Sequence, residues 1–413
     1  MQKYIIVFCF LFFISCNSNV NETEDIVNET EDIITDSTDS NPPSNITTET
    51  DSLNNLLIRW EDLANDEVEY LILKTNVAKS ILDTIYLPVN SVSYYDQDVY
   101  TQNIYEYLIG ISLSNGRMSF SDKIRVDYKF NWINYMSFPS ESTNNDISFS
   151  KNEKHIASGY GGIVYSLFNR SIYFQLIPNA VYGACSFGNG DTILMGNKLY
   201  NIANAAELIK FNAPYTITGK ISNDDNFVGL GTSDGMYSAS VKIFQIDGTL
   251  VHNYQYGFFF NFSNSSSSFV YSNAYGEISH VNTLSGNVIS SIKVGDYYIN
   301  DAVFSSNDEK VAIASGGKVY IWELYSGDFY NLSIPSNIGV SSIEFGHHGE
   351  YLYLGTDQKL LLWDIENNRE INSLADNGYK RDIELSSSEK YISCHSGDII
   401  KVYESKGEWE IIE

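Results

Sequence analysis

This chain has six histidines and a few acidic turns, and these side chains are of the kinds that could support catalysis or metal binding. His347 and His348 are adjacent in a predicted turn, and adjacent side chains point apart, so this pair is poorly placed to chelate one ion. The acidic turns at 224–225 and 307–309 lack the alternation and the glycine of a calcium loop. Neither Gly-x-Ser-x-Gly nor His-Glu-x-x-His occurs, and there is no phosphate-binding loop. The sequence therefore predicts no catalytic residues, no metal ligands and no cofactor.

Tyrosine recurs just before strands that end in a large hydrophobic residue. The recurring side chains are Tyr182, Tyr215, Tyr256, Tyr298 and Tyr379. Rigid rings that carry a hydroxyl suit protein hot spots and sugar stacking alike, so these residues are candidates for a binding face. The alternative is that each ring packs one repeat on the next, and we expect packing for most of them. Tyr297 is the better candidate for exposure, because it neighbours Tyr298 and points to the opposite side of an extended chain.

The amino-terminal segment carries a targeting signal. Lys3 is the only charge among the first fifteen residues, and 4–14 is an uninterrupted apolar run. A membrane span needs about 20 apolar residues, so this run indicates the hydrophobic region of a signal peptide. The run is followed by Ser15 and Cys16, and a small residue before such a cysteine resembles the lipobox of bacterial lipoproteins. The alternative is an ordinary secretory signal with a chance cysteine.

The lipoprotein resemblance implies a processing route and an address. The signal peptide, 1–15, is removed, and Cys16 becomes the first residue of the mature chain, carrying diacylglycerol on its thiol and a fatty acid, such as palmitate, on its amino group. Several acyl chains form a stable anchor. The resemblance therefore implies a protein of the bacterial cell envelope, anchored at the outer membrane on its periplasmic or cell-surface side, that touches the membrane only through its lipid.

An acidic tether follows the anchor and is predicted over 16–50. Residues 17–51 carry ten acidic side chains and no basic one, and the segment 21–27 is nearly repeated at 28–34. Like charges at this density repel each other, and little apolar surface offsets the loss of chain entropy on folding. We expect a disordered spacer. An export signal, a calcium-collecting tail and O-glycosylation at sites such as Asp36-Ser37-Thr38 remain alternatives.

Composition bounds the rest of the chain. The formal net charge is 25 − 52 = −27, so the protein's own field would repel nucleic acid. The chain is 43% hydrophobic, enough for a large core, and its many tyrosines, phenylalanines and glycines favour β structure. The sequence therefore predicts an all-β fold.

The segment 51–127 alternates apolar and polar residues at strand length, without a helical stretch. Trp60 ends an early strand, Tyr70 and Ile72 lie on the next, and Val99 precedes Tyr105 by six residues. This pattern resembles a fibronectin type III domain and its tyrosine corner, which implies a β-sandwich that serves as a spacer or docking module.

The remaining chain repeats seven times. Each repeat has an apolar strand, a polar turn and further short strands, and the strands end at Phe149, Phe187, Ile221, Phe262, Phe304, Phe345 and Leu385. Four short strands in about 40 residues is the period of a β-propeller blade. Trp363-Asp364 and Trp322-Glu323 resemble the third-strand ending of WD repeats, so the sequence predicts a seven-bladed WD-like β-propeller over 146–413. We expect 382–412 to supply all four strands of the last blade.

Two parts of the chain complete the prediction. The stretch 128–145 is predicted to be a linker, although it could add an edge strand or clamp the domains. Cys185 and Cys394 lie two blades apart and are expected to be buried free thiols.

The predicted function follows from this organisation. We expect a non-enzymatic, lipid-anchored scaffold that binds a protein partner or complex through one face of the propeller. The alternative is capture of a glycan on the tyrosine ring. An enzyme that uses an unrecognised carboxylate cluster is a third possibility.

Overall fold

A computed structural model describes residues 42–51, 55–77, 81–99, 103–139, 146–159, 161–176, 183–233, 239–295, 298–346, 349–375 and 380–412. Every regular element in these ranges is a β-strand, which agrees with the predicted all-β fold. The same ranges contain no helix of the length and apolarity that a membrane crossing requires. The chain divides into two compact units. Unit 1 comprises Met1–Phe130 and Gly407–Glu413, and unit 2 comprises Asn131–Lys406.

Unit 1 is built from two antiparallel sheets. Its strands are β1 (Ser44–Thr50), β2 (Leu56–Glu61), β3 (Glu67–Asn76), β4 (Ile81–Leu87), β5 (Ser93–Asp96), β6 (Tyr105–Leu113), β7 (Met118–Phe120) and the first part of β8 (Ile124–Pro139). One sheet has the order β1-β2-β5, and the other contains β8-β6-β3-β4, with β7 paired to β6. Alternate residues of both sheets, such as Ile58 on β2 and Ile72 on β3, pack into one core.

Strand β1 corrects the predicted extent of the disordered tether. The sequence assigned 16–50 to the tether, but Ser44–Thr50 pairs antiparallel with β2. Ile46 packs against the core of unit 1, and this contact supplies the apolar burial that the more acidic residues before it lack. The part of the tether before residue 42 lies outside the described residues.

Unit 2 consists of seven four-stranded blades among the described residues. Blades 1 to 4 contain β9 (Ile147–Phe149), β10 (His155–Ser158), β11 (Ile163–Ser166), β12 (Ser171–Gln175); β13 (Cys185–Phe187), β14 (Thr192–Met195), β15 (Lys198–Asn201), β16 (Glu207–Lys210); β17 (Thr216–Ile221), β18 (Phe227–Ser233), β19 (Ala239–Gln245), β20 (Leu250–Gln255); β21 (Gly257–Phe262), β22 (Ser268–Asn273), β23 (Glu277–Asn282) and β24 (Val288–Lys293). Blades 5 to 7 contain β25 (Ile299–Phe304), β26 (Lys310–Ser315), β27 (Lys318–Glu323), β28 (Phe329–Asn331); β29 (Val340–Phe345), β30 (Tyr351–Thr356), β31 (Lys359–Asp364), β32 (Arg369–Ala375); β33 (Lys380–Leu385), β34 (Tyr391–Ser396), β35 (Ile399–Ile412) and the second part of β8.

The first strand of each blade is the inner strand. Each inner strand contacts the inner strand of the next blade, and β33 of blade 7 contacts β9 of blade 1, so the ring is closed. The hydrophobic residues that end the repeated strands in the sequence end these inner strands. This arrangement is a β-propeller.

Blade 7 is completed differently from the prediction. Its sheet has the order β33-β34-β35-β8, so its fourth strand comes from before blade 1 and not from the end of the chain. Met136 and Phe138 of β8 pack in one cluster with Ile400 and Val402 of β35. The segment 128–145 is therefore not simply a linker, because its first part is strand and its apolar residues fill the seventh blade.

The end of the chain belongs to unit 1, whereas the sequence assigned it to the propeller. Trp409 on β35 is buried in the core of unit 1, with its ring centroid 5.9 Å from that of Tyr105 and 5.3 Å from that of Tyr128. The backbone N–H of Trp409 donates to Thr50 Oγ1 at 2.7 Å, and its backbone carbonyl accepts from Thr48 Oγ1 at 3.0 Å. Burial of this large ring and the two hydrogen bonds hold the chain end beside β1.

Candidate binding site at the propeller channel

The predicted tyrosine ring is described at three of its positions. The side chains of Tyr215, Tyr256 and Tyr298 are 72%, 62% and 61% exposed. The expectation that the recurring tyrosines pack one blade on the next is therefore wrong for these three. The remaining candidates, Tyr182, Tyr297, Tyr379 and the lipid-attachment residue Cys16, lie outside the described residues.

The backbone beside each exposed ring is held in place. Tyr215 and Tyr256 directly precede inner strands and have positive φ angles of 58° and 63°, which are uncommon for a bulky residue. The carbonyl of Tyr215 accepts from the N–H of Ser233 at 3.0 Å, and the N–H of Tyr256 donates to the carbonyl of Ala239 at 2.8 Å. The carbonyl of Tyr298 accepts from Ser315 Oγ at 3.1 Å. These bonds fix the backbone while the rings extend into solvent, which suits a preorganised contact surface.

A cavity of about 1040 Å³ occupies the middle of unit 2, and Tyr215 and Tyr298 are among the residues that line it. The inner strands contribute most of its wall. The charged side chains that line it are five carboxylates and one ammonium, belonging to Asp146, Asp301, Glu344, Asp382, Glu384 and Lys220. The described lining thus has a formal charge of 1 − 5 = −4 when every group is ionised. We refer to this cavity as the acidic channel.

Strand alternation explains why these charges converge. Lys220, Glu344 and Glu384 each stand one residue before the hydrophobic end of an inner strand. Asp301 and Asp382 stand three residues before such an end. Because alternate side chains of a strand point to the same face, both positions face the channel. A search of the sequence at these two offsets would have found the acidic channel, whereas a search for local motifs misses it.

Two aspartates of the channel wall accept hydrogen bonds from residues of another blade. The carboxylate of Asp146 accepts from the N–H of Gly219 and from Thr218 Oγ1, both at 3.0 Å. The carboxylate of Asp301 accepts from the N–H of Ile343 at 2.9 Å and from Ser342 Oγ at 3.0 Å. Burial nevertheless raises the pKa of each of these aspartates to about 6, because the loss of hydration outweighs the hydrogen bonds.

The two glutamates of the channel differ in whether they have a partner. Glu384 lies 3.4 Å from the ammonium of Lys220 and raises the pKa of that lysine. Glu344 has neither a hydrogen bond nor an ion pair with another residue that the structure describes. Burial, and then the nearby charge of Glu384, raises the pKa of Glu344 well above its ordinary value. The surroundings of Glu344 therefore disfavour the ionised form of its carboxyl group.

The charge and spacing of the acidic channel restrict what it can bind. Its negative field favours cations and opposes phosphates and other anions. Within the described ranges, no three acidic, histidine or cysteine residues are grouped closely enough to hold a metal ion. The arrangement therefore suits an organic cation better than a metal ion.

The acidic turns on the opposite face have a structural role. Asp308 accepts from the N–H of Asn264 at 2.7 Å and of Ser265 at 2.8 Å, which joins blade 5 to blade 4. Asp225 accepts from the N–H of Asn189 at 3.0 Å, which joins blade 3 to blade 2. These turn carboxylates connect neighbouring blades through backbone donors. His347 and His348 lie outside the described residues.

The two cysteines of the propeller are buried and free, as the sequence predicts. The thiol of Cys185 donates to the carbonyl of Asp146 at 2.9 Å. Burial, and then the charge of Asp146, raises the pKa of Cys185 well above its ordinary value, so this thiol is a poor nucleophile.

Comparison with known proteins identifies the fold of unit 2. No protein-family model matches the chain. The solved structures that resemble it include the β-propeller domain of Myceliophteria thermophila Cps50 (Swd1), with a TM-score of 0.55 and 12% sequence identity. The match covers 66% of this chain and 99% of that domain. At this identity the likeness shows a β-propeller fold and leaves function to the site itself.

Proposed function

We propose that this protein is a lipid-anchored scaffold of the bacterial cell envelope that recognises a protein partner through the tyrosine-bearing face of its propeller. The observation that carries the proposal is the exposure of Tyr215, Tyr256 and Tyr298 just before inner strands, with Tyr215 and Tyr298 lining the acidic channel. Exposed aromatic rings on a fixed backbone resemble the anchors of protein interfaces. Propeller folds commonly serve as protein-interaction scaffolds, which agrees with this role.

The remaining segments serve the same role in the proposal. Cys16 carries the lipid, the acidic tether separates the folded units from the membrane, and unit 1 is a fibronectin type III-like spacer. Two sheets around one core support the last assignment. Mutual repulsion of the ten acidic side chains in 17–51 would keep the tether extended.

Crosslinking in intact cells tests the binding face. A variant with Tyr215, Tyr256 and Tyr298 all changed to Ala should lose the crosslinked partner that the unaltered protein captures. Tyr325→Ala is the matched control, since this tyrosine is 100% exposed in the turn between β27 and β28. That turn lies at the ends of the blade strands opposite to those that carry Tyr215, Tyr256 and Tyr298. Equal capture by the triple variant and the control would contradict the proposed face.

Labelling with an alkynyl palmitate tests the anchor. Cys16→Ser should abolish both labelling and signal cleavage, because the acylated thiol is lost. Cys9→Ser is the control, since Cys9 lies within the apolar run that is removed with the signal. Label that persists in Cys16→Ser would contradict the lipoprotein assignment.

Glycan capture is a second candidate. Asn261, Asn300 and Tyr298 all line the channel, and a site that offers both amides and an aromatic ring suits sugar hydroxyls and a sugar face. A glycan array probed with the purified protein would support this function if a bound glycan were lost from the triple tyrosine variant and retained by Tyr325→Ala.

A further inference from the structure

Among the described residues that line the acidic channel, five carboxyl groups face one ammonium group, that of Lys220. Lys220 lies 3.4 Å from Glu384, and the two aspartates Asp146 and Asp301 are hydrogen-bonded within the wall. Glu344 lines the same cavity without a hydrogen bond or an ion pair to any described residue. A carboxylate in a protein-lined cavity is costly unless it is paired, so an external group that donates hydrogen bonds would stabilise Glu344.

We infer that the acidic channel is the receptor for an arginine or lysine side chain of the protein partner, which enters past Tyr215 and Tyr298 and pairs with Glu344. This inference rests on the proposed function, and it identifies the chemistry of the segment that the partner presents. A guanidinium or ammonium group supplies the hydrogen-bond donors that Glu344 lacks, and a protein segment also brings surface to cover the exposed rings.

The size of the channel favours a side chain over a bare ion. Its volume of about 1040 Å³ is far larger than an ion needs and falls at the upper end of pockets that take extended organic ligands. Its carboxylates lie on different strands, among them Asp301 on β25, Glu344 on β29 and Glu384 on β33. A long, flexible cation can reach such spaced charges, whereas a metal ion needs several ligands at one point.

Binding should release a proton from the channel. The charged groups that influence Glu344 are Glu384 and Glu389 from blade 7, Lys220 from blade 3 and Asp301 from blade 5. Burial, and then the charge of Glu384, raises the pKa of Glu344. An incoming cation stabilises the ionised form and lowers that pKa, so a proton leaves as the cation binds. The affinity should therefore rise with pH until Glu344 is already ionised in the free protein.

Calorimetry on the purified full-length protein tests the inference, with triarginine amide as probe and tricitrulline amide as the uncharged control of similar shape. Triarginine amide should bind and tricitrulline amide should not. Glu344→Gln should weaken triarginine binding about tenfold, the effect of one charge-assisted hydrogen bond. Glu366→Gln, which alters an exposed carboxylate in a turn of blade 6, should leave binding unchanged.

Proton release on binding is a second measurement, and it would not change if Glu344 had a purely structural role. The observed heat should differ between phosphate and Tris buffers for the unaltered protein, and this difference should be smaller in Glu344→Gln. Equal binding of both probes, or an unchanged affinity in Glu344→Gln, would overturn the inference. Spermidine binding that depends on Glu344, without triarginine binding, would overturn the assignment to a protein side chain.

The tyrosine crosslinking experiment separates this inference from the proposed function. Capture that is lost in the triple tyrosine variant but unchanged in Glu344→Gln would leave the binding face in place and overturn the role of the channel. Capture that depends on neither set of residues would contradict both.

Discussion

The carboxylate of Glu153 in blade 1 accepts hydrogen bonds from the N–H of Ser388 at 2.6 Å and from Ser388 Oγ at 2.9 Å in blade 7. The same carboxylate accepts from Ser387 Oγ at 3.2 Å. These bonds join the first and last blades of the ring. They repeat, at the closure, the turn-to-turn contact that Asp225 and Asp308 make between other blades.

Glu153→Ala should lower the free energy of unfolding of unit 2 by about 1–3 kcal/mol, because backbone and hydroxyl donors at the ring closure lose their acceptor. Chemical denaturation followed by intrinsic fluorescence measures the change. Glu309→Ala is the matched control, since the side-chain hydrogen bond described for the Glu309 carboxylate comes from Asn307 of its own turn. A loss no larger than that of the control would show that the Glu153 contact does not stabilise the ring.

Trp409→Ala should destabilise unit 1 by roughly 3–5 kcal/mol, the usual cost of removing a large buried ring. Trp409 is 2% exposed and contacts the rings of Tyr105 and Tyr128. Hydrogen exchange of β2 and β6 monitors unit 1 directly. Ile411→Ala, at a side chain 42% exposed, should leave this exchange nearly unchanged. Unchanged protection in Trp409→Ala would contradict a role for the chain end in this core.

The channel aspartates should make the protein less stable as pH rises. Burial raises the pKa of Asp146 and Asp301 from the ordinary value near 3.8 to about 6. Between these values the folded state binds more protons than the unfolded state, so the stability contribution is complete below about pH 4 and is lost as pH rises through about 6. The loss is at most roughly 3 kcal/mol for each group.

Denaturation at pH 4.5 and pH 7 measures this dependence. Asp301→Asn keeps a hydrogen-bond acceptor but cannot ionise, so it should reduce the difference in unfolding free energy between the two pH values. Asp328→Asn, at an exposed turn, is the control and should retain the difference. An equal pH dependence in Asp301→Asn and the unaltered protein would contradict the raised pKa.

Tyr215→Ala, Tyr256→Ala and Tyr298→Ala should each change the free energy of unfolding by less than about 0.5 kcal/mol, because exposed rings contribute little buried area. Each should weaken partner binding by roughly 1–3 kcal/mol, as interface aromatic residues do. Thermal melts and a binding assay on the single variants distinguish the two effects. A fall in melting temperature with intact binding would contradict the role of these rings in a binding face.

The sequence alone determined the features that follow from local periodicity. Period-two alternation and the seven recurring strand ends predicted the inner strands of the propeller, because a large hydrophobic residue before a polar turn is typical of a buried strand that ends there. The sequence predicts burial of Cys185 and Cys394 in the same way, from their places in a first and a second strand of a blade, and both are buried.

Tertiary structure decided which segments complete each unit. The outer strand of a blade is short and half-exposed, so its sequence pattern is weak, and several segments could supply it. Only the folded chain assigns that strand of blade 7 to β8 and places Trp409 of β35 in unit 1. The sequence pattern at the chain end fits either unit, and burial of the tryptophan ring determines the outcome.

Tertiary structure also created the acidic channel. Lys220, Glu344 and Glu384 are far apart in the sequence, and each is an ordinary charged residue of a short strand. They converge because ring closure brings the same position of different blades to one axis. The raised pKa values arise from the hydration that the ring displaces and from charges on other blades, so no local pattern could reveal them. Exposure of Tyr215, Tyr256 and Tyr298 was likewise decided by the folded chain, since the sequence pattern favoured packing at these positions.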